Sequence, residues 1–331
     1  MEELHQLSAI TAKRTPGFTQ NTLTPPVKQE STAMPHTVHH THCPACNSTT
    51  IQSAFSVVDF SVSKETFPVA ECRECGCRFT QNIPCETAIG RYYQSADYVS
   101  HSDTKKGLIN QLYHIARSYT LKQKVALVQK ATGKKVGMHL DVGSGTGAFV
   151  HAMTEEGWLS TGVEPDEQAR EIAAKRYKAD VFPAEHFFSL PAGTYDAVTL
   201  WHVLEHVHRL DEYMTQLKTV VSANGKIIIA VPNYTSYDAK TYGAGWAAYD
   251  VPRHLYHFSP AAMKRLAERH GLRIKTILPM WLDSFYVSML SEKYKKGSLL
   301  KAVIVGFISN LKTIFNKQRC SSLIYVLEIP K

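Results

Sequence analysis

Two Cys-x-x-Cys pairs, Cys43-Pro44-Ala45-Cys46 and Cys72-Arg73-Glu74-Cys75, stand 25 residues apart. Paired thiolates at this spacing suit one tetrahedral zinc ion between two short hairpins. Four sulfur ligands leave no open position, so the zinc expected at Cys43, Cys46, Cys72 and Cys75 is structural and not catalytic. Cys77 is a spare thiol, and His42 is a weaker alternative ligand. A second chemistry-bearing run, Leu140-Asp141-Val142-Gly143-Ser144-Gly145-Thr146-Gly147, closes an apolar strand and opens a helix. Glycines there allow a sharp turn and close approach of a ligand, and the free N–H groups of the helix start attract an anionic group. Glu164, 21 residues after Gly143 and at the end of the next strand, can hold ribose hydroxyls. Gly143-x-Gly145-x-x-Ala148 also meets the dinucleotide fingerprint. Asp141 opposes that reading, because a carboxylate suits a ligand carrying a cationic amino group better than a pyrophosphate.

Two further segments concentrate histidine and aromatic residues. Trp201-His202-Val203-Leu204-Glu205-His206 follows the fourth strand of the fold, the switch point where open α/β sheets bind ligands. Trp201 and His202 are placed to line the ligand, whereas Glu205 and His206 could equally be holding their loop by hydrogen bonds. After the fifth strand comes Trp246-Ala247-Ala248-Tyr249-Asp250-Val251-Pro252-Arg253-His254-Leu255-Tyr256-His257-Phe258. Trp246, Arg253 and His257 are candidate substrate contacts, with Arg253 a bidentate clamp for a carboxylate or phosphate. His254 or His257 is an alternative proton acceptor. Packing accounts better for Phe258. Tyr92, Tyr93 and Tyr98 precede the first long helix and offer an aromatic cover or plain packing.

The elements that must carry these residues alternate. Strand-like runs fall at 136–142, 160–163, 179–182, 197–200, 226–231, 273–278 and 322–328, with helix-like runs at 147–156, 165–177, 210–222 and 260–270. Leu112, Ile115, Tyr119 and Val125 keep helical spacing ahead of them, with Ser102 or Asp103 as cap. This order predicts an α/β, doubly wound, seven-stranded Rossmann-like sheet with a small zinc ribbon before it. The expected organisation is a flexible leader at 1–40 (Met34 is an alternative start), a ribbon at 41–85, a connector and helix at 86–133, and a main domain at 134–331. That domain contains an insertion at 281–319.

With 44% hydrophobic and 20% charged residues the chain reads as a soluble globular protein. A start without an apolar signal core, and unpaired cysteines in metal spacing, predict a cytoplasmic location. No run reaches the roughly 18 apolar residues of a membrane span. The net charge of +8 is uneven: residues 264–331 hold 13 Lys/Arg against 4 Asp/Glu. Within the insertion, lysines flank an apolar helix at 298–316, a pattern that can lie in a membrane interface, cover the active site or form a dimer face. The oligomeric state is not legible.

Together, 140–147, Val163-Glu164-Pro165, the run from Tyr195 to Val207, Asn224-Gly225-Lys226 and Pro232-Asn233 resemble the class I S-adenosylmethionine-dependent methyltransferases. The likeness lies near the ubiquinone-biosynthesis O-methyltransferases and the sugar C-methyltransferases. It implies S-adenosylmethionine across the strand ends, held by Asp141, Gly143, Gly145, Gly147, Glu164, Trp201 and His202. By the same resemblance His206 is a candidate general base, with His202 and His254 beside it. Some sugar C-methyltransferases carry an N-terminal zinc module that helps to bind substrate, which implies a small-molecule, glycan or lipid-linked acceptor. Certain ribosomal-RNA methyltransferases carry a four-cysteine ribbon too, so methylation of ribosomal or transfer RNA is the rival reading. Nucleic acid is disfavoured as a partner because residues 43–77 hold Lys64 and Arg73 against Asp59, Glu65, Glu71 and Glu74. A cofactor-binding module without turnover is a third reading.

Overall fold

In a computed structural model of the chain, residues 37–94 and 108–330 are described, with side chains from residue 120 onward in the first long helix. Tyr98, Ser102, Asp103 and most of the expected leader lie outside them. The main sheet has seven strands. In chain order they are β6 (Met138–Val142), β7 (Leu159–Val163), β8 (Val181–Phe182), β9 (Tyr195–Trp201), β10 (Val221–Pro232), β12 (Arg273–Pro279) and β13 (Ser322–Glu328). Their spatial order is β12-β13-β10-β9-β6-β7-β8, with β13 antiparallel to both neighbours and the other pairings parallel. Ile227 to Val231 of β10 are fully buried, as expected of a strand covered on both faces. The expected seven-stranded, doubly wound arrangement is therefore present.

Helices cover the sheet: α1 (Leu108–Thr132), α2 (Ala148–Glu155), α3 (Glu167–Ile172), α4 (Leu210–Val220), α5 (Tyr237–Tyr242) and α6 (Pro260–Arg269). Local chemistry sets their starts. Ser259 accepts the Ala262 N–H, with proline in the first helical turn of α6, and the Asp166 carboxylate accepts the Gln168 N–H at α3. The 281–319 insertion folds as a helical hairpin, α7 (Asp283–Tyr294) and α8 (Leu299–Phe315).

The cysteine segment forms β1 (Thr37–Val38), β2 (Ile51–Val58), β3 (Thr66–Cys72), β4 (Arg78–Thr80) and β5 (Ile83–Pro84). It is not closed on itself. Tyr256–His257, which is β11, adds antiparallel to β4 and completes a four-stranded sheet in the order β11-β4-β3-β2. The histidine-rich loop thus ends as a strand of the cysteine unit's sheet, and one hydrophobic cluster runs from Cys43 and Phe79 through Leu200 to Leu327.

Candidate functional site at the strand ends

Gly143, Gly145 and Gly147 all take left-handed conformations, with φ of 74°, 53° and 74°. A Cβ on Gly143 would fall 2.3 Å from Val203 Cγ2, and one on Gly147 would fall 2.7 Å from Ala173 Cβ. Those two glycines let the turn pack against its neighbours. Gly145 differs, since a Cβ there meets nothing within 4 Å. Its N–H donates to Glu164 Oε2 (2.8 Å), while Glu164 Oε1 accepts from the Asp166 N–H (3.1 Å). Burial raises the Glu164 carboxyl above its ordinary range.

Asp141 is buried beside the turn. Its Oδ1 accepts from the Thr199 hydroxyl (2.6 Å), and Thr199 Oγ1 lies 2.9 Å from His139 Nε2. The Thr199 proton is committed to Asp141, so His139 Nε2 carries the hydrogen and Nδ1 accepts from Ser160 Oγ (2.7 Å). Burial pushes the Asp141 carboxyl up to about 7, which the Thr199 hydrogen bond opposes. Trp201 stands edge-on to Phe149 at 5.6 Å between ring centres, and Lys124 Nζ lies 4.3 Å from the centre of its ring. Neither Lys124 nor His139 was singled out from sequence, because each acts through a partner on another strand or helix.

Several sequence-predicted residues occupy other roles. His202 takes a left-handed φ of 58°, with Nδ1 3.2 Å from Glu205 Oε1 and Nε2 3.1 Å from Asp283 Oδ2. Burial would lower its pKa, but the hydrogen bonds to Asp283 and Glu205 outweigh it and raise it to about 10. His202 is thus bracketed by two carboxylates, one at each ring nitrogen. Arg253, expected as a substrate clamp, is 2% exposed. Its guanidinium bonds Asp250 through Nε (3.0 Å) and Nη2 (2.6 Å), Asp59 Oδ1 (3.0 Å) and the Tyr92 carbonyl (2.7 Å). Two carboxylates and a carbonyl take four of its five N–H donors, so it ties elements together. Trp246 and His257, the other expected substrate contacts, are also buried. Trp246 Nε1 donates to Asp238 Oδ2 (2.8 Å), and His257 Nε2 lies 3.1 Å from Thr80 Oγ1.

His206 and His254 do come together, with ring centres 4.5 Å apart and Glu205 beside them. Burial, followed by the neighbouring His254, lowers His206 to about 4, so it is neutral. Tyr93 OH lies 3.2 Å from His206 Nδ1, and Tyr92 packs in the core.

In the cysteine unit the sulfur atoms of Cys43, Cys46, Cys72 and Cys75 lie within 4.8 Å of one another. The Cys43–Cys75 and Cys46–Cys72 separations are 3.5 and 3.6 Å. A tetrahedral ion with bonds of about 2.3 Å needs sulfur edges near 3.8 Å, so the quartet fits a zinc ion. Cys77 is buried outside this quartet, with Sγ against the Arg78 carbonyl.

Residues 113–277 match the model of a family described as "Methyltransferase domain". The chain is similar to an uncharacterized methyltransferase of Alkaliphilus oremlandii, 30% identical over 110 residues, which are 32% of this chain and 51% of that protein. It therefore spans about half the length of that relative. It is also similar to the ubiquinone biosynthesis O-methyltransferase of Thiobacillus denitrificans, 27% identical over 161 residues, covering 45% of this chain and 68% of the relative. Among solved structures, a magnesium protoporphyrin IX methyltransferase from Synechocystis PCC 6803 with bound SAH superposes with a TM-score of 0.48 at 15% identity. That likeness covers 73% of this chain and 99% of the other.

Proposed function

From the premise that this chain belongs, through residues 113–277, to the class I S-adenosylmethionine-dependent methyltransferases, we propose that it transfers the sulfonium methyl to oxygen or carbon of a small-molecule, glycan or lipid-linked acceptor. The observation that carries this reading is the open space over Gly145, whose N–H is held by the strand-end carboxylate of Glu164. In it Asp141 attracts the amino group and sulfonium of S-adenosylmethionine, Glu164 receives the ribose hydroxyls, and Gly143 and Gly147 hold the turn. Trp201 and His202 line the far side. The acceptor proton leaves toward His206, which burial keeps neutral, with His254 and Glu205 beside it. Positioning supplies most of the rate, since methyl transfer is an in-line displacement that needs its two reactants aligned.

A zinc ion on Cys43, Cys46, Cys72 and Cys75 would staple the cysteine unit, with all its ligands from protein and no part in the transfer. The acceptor approaches where that unit meets the 246–258 loop. The hairpin α7–α8 touches an anionic lipid surface, which suits a lipid-linked acceptor.

Calorimetric titration with S-adenosylmethionine tests the core of this reading. The native chain should bind it, and Gly145→Val, which fills the open space, should bind ~100-fold more weakly, or about 2.7 kcal/mol, and should melt somewhat lower because a β-branched residue is strained at a φ of 53°. A native chain that binds NAD and ignores S-adenosylmethionine would sink the proposal. Labelled methyl transfer into cell extract, sorted into RNA, lipid, glycan and small molecules, separates the acceptor classes. Label confined to RNA would establish the rival.

A further inference from the structure

His139 is fully buried on β6, with Phe149 of α2 and Trp158 edge-on to its ring at 5.4 and 6.4 Å between centres. An imidazole in such apolar company still needs one donor and one acceptor as partners. It finds them on the two flanking strands. Ser160 Oγ of β7 lies 2.7 Å from Nδ1, and Thr199 Oγ1 of β9 lies 2.9 Å from Nε2. Thr199 Oγ1 in turn lies 2.6 Å from Asp141 Oδ1. Ser160, His139, Thr199 and Asp141 therefore form one chain across three strands, ending under the cofactor turn. Burial alone lowers the ring to about 3, so it stays neutral, with a single hydrogen on one nitrogen or the other.

Every link of this chain can be made in either direction. With Asp141 ionised, Ser160 donates to Nδ1, Nε2–H donates to Thr199, and Thr199 donates to Asp141. With Asp141 protonated, its hydroxyl donates to Thr199, Thr199 donates to Nε2, and Nδ1–H donates to Ser160. The Leu140 carbonyl, 3.5 Å from Thr199 Oγ1, is too far to compete for that hydroxyl. An apolar residue at 139 would fill the space, yet leave Thr199 without an acceptor once Asp141 is protonated. The charged groups facing Asp141 are Lys124 of α1 and Glu164 at the end of β7, which act on it in opposite senses.

We propose that His139 is a positioning residue whose imidazole tautomer reverses when S-adenosylmethionine binds, so that Asp141 gives up its proton with every buried link still paired. The role rests on the cofactor reading above, in which a cationic ligand lies over Asp141. The Asp141 proton passes to Thr199, the Thr199 hydrogen to Nε2, the Nδ1 hydrogen to Ser160, and one proton leaves Ser160 for water. No bond between heavy atoms changes and nothing is oxidised or reduced.

The test is nuclear magnetic resonance of the full chain, labelled at the histidine ring nitrogens, whose signals report which nitrogen carries hydrogen. Without cofactor, the His139 hydrogen should move from Nδ1 at about pH 6 to Nε2 at about pH 8, the ring staying neutral. With saturating S-adenosylmethionine it should sit on Nε2 throughout. His139→Gln identifies the signal by deleting it, and Thr199→Val, which cuts the chain, should leave the tautomer insensitive to pH and to cofactor. A native tautomer that is the same at both pH values overturns the proposal. So does one that ignores S-adenosylmethionine in a chain that calorimetry shows to bind it, a ring with hydrogen on both nitrogens, or a reversal that persists in Thr199→Val. A native chain that binds no S-adenosylmethionine overturns the cofactor reading instead, and the pH series still decides whether the chain reverses.

Discussion

Asp141 carries a conflict that the cofactor is suited to resolve. The carboxylate is buried at the end of β6 and held by one hydroxyl, and burial raises it to about 7. A cationic ligand overhead would stabilise the ionised form. Below the raised value the empty site is protonated and must release that proton on binding; above it there is none to release. Affinity for S-adenosylmethionine should therefore tighten about tenfold between pH 6 and pH 8, and Asp141→Asn should bind more weakly and lose the dependence. Calorimetry across that range checks it, and a flat native profile would remove Asp141 from the cofactor site. The placement of Asp141, Gly143 and Glu164 at strand ends and turn was legible in the sequence because it depends on near neighbours. His139, which orients Thr199 behind Asp141, was not, because its partners come from β7 and β9.

At the scale of elements, the cysteine unit and the loop after β10 are one construction. β11 extends the cysteine unit's sheet, and Arg253 joins the loop to Asp59 on the other side of β2. Asp59 in turn accepts the Ser61, Val62 and Ser63 N–H groups, so one guanidinium fixes a turn and a loop together. Arg253→Ala would leave the Asp59 and Asp250 carboxylates facing each other without a cation. Breaking a buried pair on one side destabilises by about 3–5 kcal/mol, and the variant should unfold at correspondingly lower urea. An Arg253 that gripped the acceptor would instead leave the unfolding midpoint in place and weaken only acceptor binding. The loop's wealth of aromatic and basic residues was legible in the sequence, but their partners within the fold were not. Composition marked the segment as unusual, yet most of that chemistry is spent on holding the loop.

For the whole molecule, α8 is built inside out. Small and hydroxylic residues, Ala302, Gly306, Ser309 and Thr313, face inward, and Phe285 comes so close that a Cβ on Gly306 would lie 2.8 Å from its ring. The large apolar residues face out: Leu300 is 70%, Phe307 60%, Ile314 64% and Phe315 85% exposed. Such a face needs a partner. Residues 293–319 contain lysines and one arginine and no Asp or Glu, which favours an anionic lipid surface. Among the described residues no helix is long and apolar enough to cross a membrane, so α8 would lie in the interface. Co-sedimentation with phosphatidylglycerol-containing vesicles, and little with pure phosphatidylcholine, is the expected result. Ile304→Glu with Phe307→Glu should abolish it. A native dimer that these changes dissociate, with no vesicle binding at all, would assign the face to a second copy.

What the sequence determined by itself is whatever short spacing and periodicity control. The cysteine quartet, the glycine turn and the order of strands and helices follow from local geometry and from which faces must be buried. Tertiary structure decided which polar side chains remain for chemistry. Arg253 finds Asp59 across 194 residues, His202 finds Asp283 in the inserted helix, and His206 meets His254 from a different loop. A buried charge takes whichever partner the fold brings within reach, and that choice has no period or spacing in the chain.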